Sequence, residues 1–112
     1  MTIPPATGSV IVAPAVLARL VQFAVSEVPG VARAGTVPPT NALGATVHHG
    51  VAVRMSDEQV SADCYVIAAP QISLLELGVT IQATVSAVIQ DLAGLGVREV
   101  NVYIQDVEVI RG

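Results

Sequence analysis

The stretch from Gln71 to Ile110, QISLLELGVTIQATVSAVIQDLAGLGVREVNVYIQDVEVI, constrains the fold more than any other part of the chain. It reads as one long helix, a glycine stop and one long strand. Ser73 is a good N-cap, and Glu76 follows at the spacing of a capping box ahead of an apolar run. Leu74, Leu77, Ile81, Val85, Val88 and Leu92 recur at three- and four-residue steps, which marks one face of a helix. Gly78 shares that face, where glycine costs ~1 kcal/mol against alanine. A close approach by a second helix is expected to offset this cost. Gly94-Leu95-Gly96 supplies the stop, with glycine free to adopt the left-handed cap conformation. Beyond it, Val100, Val102 and Ile104 alternate with Glu99, Asn101, Tyr103 and Gln105, as in a half-buried strand with one polar face.

Upstream, residues 1–7 contain a Pro-Pro pair and no periodicity, so a loose terminus is expected before a single domain over 8–112. Gly8 to Val12 reads as a short strand. Pro14 opens a first helix whose buried stripe is Leu17, Leu20, Val21, Ala24 and Val28, with Arg19, Gln22 and Ser26 opposite. Pro29-Gly30 ends it. Val31 to Val37 reads as an edge strand, and residues 35–49 as a loop. Gly50 to Ser56 and Gln59 to Ala68 form a hairpin turning at Ser56-Asp57-Glu58. Each strand has one apolar face and each helix one apolar stripe. The expected fold is therefore α+β: a two-layer sandwich, a small antiparallel or mixed sheet with two helices on one face. A split βαβ arrangement has this element order.

Composition narrows the function. The chain of 112 residues carries 12% charged residues, about half the ~25% typical of soluble domains. Its net charge is −4 and it has no lysine; the arginines stand singly at Arg19, Arg33, Arg54, Arg98 and Arg111. No basic stripe meets a phosphate backbone, so no nucleic-acid partner is expected. No apolar run approaches the ~20 residues of a membrane span, so no direct membrane insertion is expected. The start of the chain lacks the basic and apolar regions of a signal peptide, which makes a cytoplasmic location the expectation.

No catalytic, cofactor or metal site is expected. His48 and His49 are adjacent on an extended segment and point to opposite sides, with no third ligand nearby. Cys64 falls on the apolar side of its strand, away from any group that would make a thiolate. Asp106 and Glu108 read as an exposed strand end. Gly94-Leu95-Gly96 follows a helix, whereas a phosphate loop precedes one.

Two surfaces stand out. On the outer side of the long helix, Leu75, Val79, Ala83 and Ala87 form a row at four-residue spacing, and only Glu76 and Asp91 are charged between Ser73 and Ala93. A solvated helix face normally carries Lys and Glu pairs. This row suits contact with another copy, hence an expected homo-oligomer. The polar sheet face, with Arg54, Asp63, Tyr65, Asn101 and Tyr103, is a candidate partner surface. The rival reading is a small-molecule-binding regulatory module with a pocket between sheet and helix.

Several segments, in order, resemble the alkaline shock protein family of envelope stress response proteins. They are Gly8-Ser9-Val10-Ile11-Val12, Ser26-Glu27-Val28-Pro29-Gly30-Val31, Gly50-Val51-Ala52-Val53, Val60-Ser61-Ala62-Asp63-Cys64-Tyr65-Val66, Ile81-Gln82-Ala83-Thr84-Val85 and Leu92-Ala93-Gly94-Leu95-Gly96-Val97-Arg98-Glu99-Val100-Asn101-Val102. The second and last are the most specific. Ala69-Pro70 departs from the aromatic-glycine pair usual there. The resemblance implies a non-enzymatic protein of cell-envelope homeostasis. It also implies self-association, and a peripheral position at the inner face of the membrane through a membrane-anchored partner.

Overall fold

The computed structural model describes residues 6–109. Three helices, α1 (Pro14–Ser26), α2 (Pro39–Ala42) and α3 (Leu74–Ala93), are interleaved with five strands. The strands are β1 (Val31–Ala34), β2 (Thr46–His48), β3 (Val51–Ser56), β4 (Gln59–Ala68) and β5 (Gly96–Val107). The fold is α+β, and its sheet is mixed. β4 is its centre. β5 runs parallel along one edge of β4, while β3 and then β1 pair antiparallel along the other; β2 extends the sheet beyond β3.

α1 and α3 pack side by side on one face, α1 over β1 to β3 and α3 over β5. Between the layers lies a core of Leu17, Val21, Val51, Val53, Val60, Cys64, Val66, Ile81, Val85 and Ile89. Burying each large aliphatic side chain contributes roughly 1.5–3 kcal/mol. The cap expected for α3 is present: the Ser73 hydroxyl accepts from the Glu76 N–H at 3.2 Å. Gly94 ends the helix at φ 68°, with Gly94 N–H donating to the Gln90 carbonyl and Leu95 N–H to Ile89. These paired bonds satisfy carbonyls that the helix end would otherwise leave open.

Two glycines allow β4 to serve two strands along one edge. At Tyr65 the pairing passes from β3 to β1. Tyr65 N–H donates to the Gly50 carbonyl and Gly35 N–H donates to the Tyr65 carbonyl, both at 2.8 Å. A Cβ on Gly50 would stand 2.9 Å from the Tyr65 oxygen and 3.0 Å from the Gly35 oxygen, and Gly50 has φ +79°. A side chain there meets backbone that cannot move aside.

Four sequence expectations change. Gly8 to Val12 is not a strand: it lies beside the β3–β4 turn and the end of α3, and a turn offers no strand edge to pair with. The segment expected as a loop over 35–49 contains α2 and β2, the latter closing a tight turn at His49-Gly50 against β3. The inner stripe of α3 is Leu77, Ile81, Val85 and Ile89; Leu74 and Leu92 are exposed, because the stripe follows four-residue steps and the helix ends outrun the core. Gly78 is not a crossing point, since a Cβ there would meet nothing within 4 Å. The close approach occurs instead at Gly30, where a Cβ would come within 2.8 Å of Ile72 and 3.3 Å of Leu77. The expected loose terminus lies, for residues 1–5, outside the described residues.

Gly50→Ala is expected to cost about 2 kcal/mol, from left-handed strain plus the clash at Tyr65. Thermal unfolding should report a midpoint lower by about 10 °C.

Candidate functional site

The polar sheet face is built by alternation. β3, β4 and β5 each turn every second residue away from the helices. Registers align Asp63 with Asn101 and Tyr65 with Tyr103, and place Arg54 diagonally from Asp63. All five residues expected on this surface are therefore brought together. Arg54 reaches Asp63 at 3.2 Å, and the Asn101 amide donates to the other Asp63 oxygen at 3.0 Å. Tyr65 and Tyr103 stack with centroids 4.6 Å apart and planes 10° from parallel.

Sequence reasoning missed what covers this face. Residues 36–45, including α2, cross it as a strap. Arg54 donates to the Asn41 and Leu43 carbonyls, and the Asn41 amide donates to the Tyr65 hydroxyl. At the strap's start, Gln105 grips the Thr36 backbone twice at 2.8 Å, accepting from its N–H and donating to its carbonyl. Asp63 and Tyr65 are consequently buried, and Tyr103 is 41% exposed. Desolvation first, then the Asp63 charge, raises the Tyr103 phenol above its usual value, so it stays protonated. What this face leaves open to solvent is thus Tyr103 with the strap, and Arg54, paired with Asp63, holds the strap down. One sequence signal pointed this way: an acid and a base stand diagonally on the same side of adjacent strands.

The outer face of α3 is as expected. Leu75 is 79% exposed and Val79 55%, and Ala83 and Ala87 are exposed in the same row. A second apolar exposure was not foreseen on α1, where Phe23 is 64% exposed.

The groups capable of chemistry are poorly placed for it. Cys64 is fully buried, and its thiol is pushed up to about 12 by burial and then by the Asp63 charge. His48 and His49 meet edge to face, and His48 is lowered by desolvation, then by His49 and Arg19. Among the described residues, no group of three or more His, Cys, Asp and Glu could hold a metal ion. The cavity between α1 and β1 holds about 70 Å³, under the roughly 300–1,000 Å³ of a small-molecule site; two more open clefts, one beside the β3–β4 turn and one along α1 at Phe23 and His48, hold about 350 Å³ each.

Asp63→Ala should destabilise the fold by about 1–3 kcal/mol, because Asn101 and Arg54 lose a shared acceptor. Denaturant unfolding would show it, and hydrogen exchange should quicken at the strap. Cys64 gives a pH prediction. Its folded pKa is raised above the ordinary 9.0 to about 12, so its contribution is complete below 9 and is lost as pH rises toward 12. Cys64→Ala should flatten this part of the alkaline stability profile, read by denaturation at each pH.

Three solved structures titled as variants of MamM CTD share the fold. They superpose with TM-scores of 0.50, 0.51 and 0.51 at 17% identity each; the alignments cover 80%, 82% and 82% of this chain and 92%, 94% and 93% of theirs. At that identity the likeness speaks for the fold alone. No curated protein sequence matches significantly. In the described residues, no helix is long and apolar enough to cross a membrane. The sequence profile of one family, the alkaline shock protein 23 family with cell envelope-related function, matches residues 2–109. The chain therefore belongs to the alkaline shock protein 23 family, whose function is related to the cell envelope.

Proposed function

We propose that this protein is a non-enzymatic structural or adaptor component of cell-envelope homeostasis. It acts by associating with copies of itself and by docking on a membrane-anchored partner at the inner face of the membrane. The observation that carries the reading is the outer row of α3. Leu75, Val79, Ala83 and Ala87 line one side of a twenty-residue helix, flanked by Thr80, Gln82, Ser86 and Gln90 rather than by charge pairs. Small residues let a second helix approach closely, while Leu75 and Val79 supply apolar area that water leaves on contact.

The non-enzymatic part rests on the inert surroundings of Cys64 and the two histidines. The docking part rests on family membership and on Tyr103, an aromatic side chain left half-open beside a strap whose Leu43 points outward with 76% exposure. Tyrosines of this kind are frequent anchors of protein interfaces.

The test of self-association is the double substitution Ala83→Glu and Ala87→Glu. Both positions are exposed and glutamate is a good helix former, so the fold should persist. Light scattering should then report the monomer mass of 11.5 kDa where the parent chain reports a multiple of it. A multimer mass unchanged by the substitutions would rule out this face. The docking arm is tested by affinity purification with membrane and soluble fractions kept apart. Recovery of a membrane-spanning protein, lost on Tyr103→Ala, is expected; recovery of none would remove that arm.

A further inference from the structure

We propose that residues Gly8 to Val12 of one copy add as a strand to the outer edge of β1 in a second copy, with Val10 or Ile11 entering the cavity beside it. This contact is separate from the α3 face.

The donor is an anomaly. Val10 and Ile11 are 97% and 87% exposed, in a run of three β-branched residues that pairs with no strand. Such residues favour the pleated, half-buried setting of a sheet. Val12 packs against the core, while Val10 and Ile11 stand in water as strand-forming residues without a sheet.

The acceptor has the complementary fault. Among the described residues β1 pairs only with β4, so its other edge carries free N–H and C=O groups. Beside that edge, α1 forms a wall. The intervening cavity of about 70 Å³ is lined mainly by apolar surface, including Val25, Val31, Ala32 and Val51, with Arg33 and His49 also among its walls. It is too small for a metabolite, and it suits one branched aliphatic side chain. An edge strand facing a helix across an apolar slot is a recurring means of capturing an extended segment: the edge supplies backbone hydrogen bonds, and the slot takes a side chain. Length also matches, since β1 spans four residues and the donor five. The outer edge of β5 is a poorer acceptor, because the Gln82 side chain of α3 already donates to its Val100 carbonyl at 3.1 Å.

Reach decides that the donor comes from another copy. The cavity lies at the C-terminal half of α1, at Gln22 to Ser26. The donor leaves from the opposite end of that helix, at Ala13. At 1.5 Å per residue the two are roughly 14–20 Å apart. Val10 stands three residues before Ala13 and extends at most about 10 Å from it. Within one chain the segment falls short. Between two chains it does not, and reciprocal exchange would close a two-fold dimer.

Disulfide trapping tests this. Chains carrying Ile11→Cys are mixed with chains carrying Ala32→Cys and oxidised; buried Cys64 stays out of the reaction. Arg98→Cys, on β5, replaces Ala32→Cys in the control. A linked pair of chains is expected with Ala32→Cys, at several-fold the control yield. No linked product, or equal product with the control, would overturn the proposal. The second arm replaces Val10, 97% exposed, with aspartate, a surface change that leaves the core intact. The proposal expects the cross-link between partner β1 and the donor segment to disappear when Val10→Asp is added to the Ile11→Cys chain. Persistence of the cross-link would count against insertion of an apolar side chain.

Discussion

β4 pairs along its whole length on both sides, and the rest of the molecule depends on that pairing. One edge is a parallel ladder with β5, its register shifting at Val60/Ser61 and at Val66/Ile67, and the other is divided between β3 and β1 at Tyr65. The division is possible because Gly50 and Gly35 meet there without side chains. Each face of β4 then has its own task. Val60, Ala62, Cys64 and Val66 bind the two helices to the sheet, while Asp63 and Tyr65 anchor the polar network and the strap. A single ten-residue strand thus joins core and surface.

The network around Asp63 shows how a charged group is tolerated at low exposure. Both carboxylate oxygens are engaged, one by Arg54 and one by Asn101, and Arg54 spends its second nitrogen on strap carbonyls. A buried charge without such partners is strongly destabilising. With them, the electrostatics fix the position of a loop. The polar residues that look like a site in the sequence are mostly internal scaffolding, and what faces solvent is the strap they hold.

Much of the fold is legible in the sequence because local chemistry and tertiary packing agree. Ser73 and Glu76 start α3, Gly94 ends it, and the alternation of β3 to β5 assigns the faces correctly. Disagreement arises where local pattern lacks a tertiary partner. Gly8 to Val12 has strand chemistry and no edge to meet within its own chain. β2 was hidden because three residues are too few for a period to register, and because its pairing is set by the turn at His49-Gly50. Ile89 takes the place on the buried stripe that the sequence pattern assigned to Val88, because the stripe continues by a step of four from Val85. The strap over the polar face was illegible for a different reason: it depends on contacts between Asn41 and residues far along the chain, which no local periodicity encodes.

Family membership relates this protein's function to the cell envelope, and the geometry suggests how so small a chain would contribute to it. Its polar and apolar exposures lie on different faces, so contacts with copies of itself need not compete with a partner. The central claim is that the chain associates with itself. Sedimentation equilibrium of the unmodified full chain tests it most directly, across a concentration range wide enough to expose mass action. The account predicts a mass that rises with concentration from 11.5 kDa toward a multiple of it, and a constant 11.5 kDa throughout would contradict it.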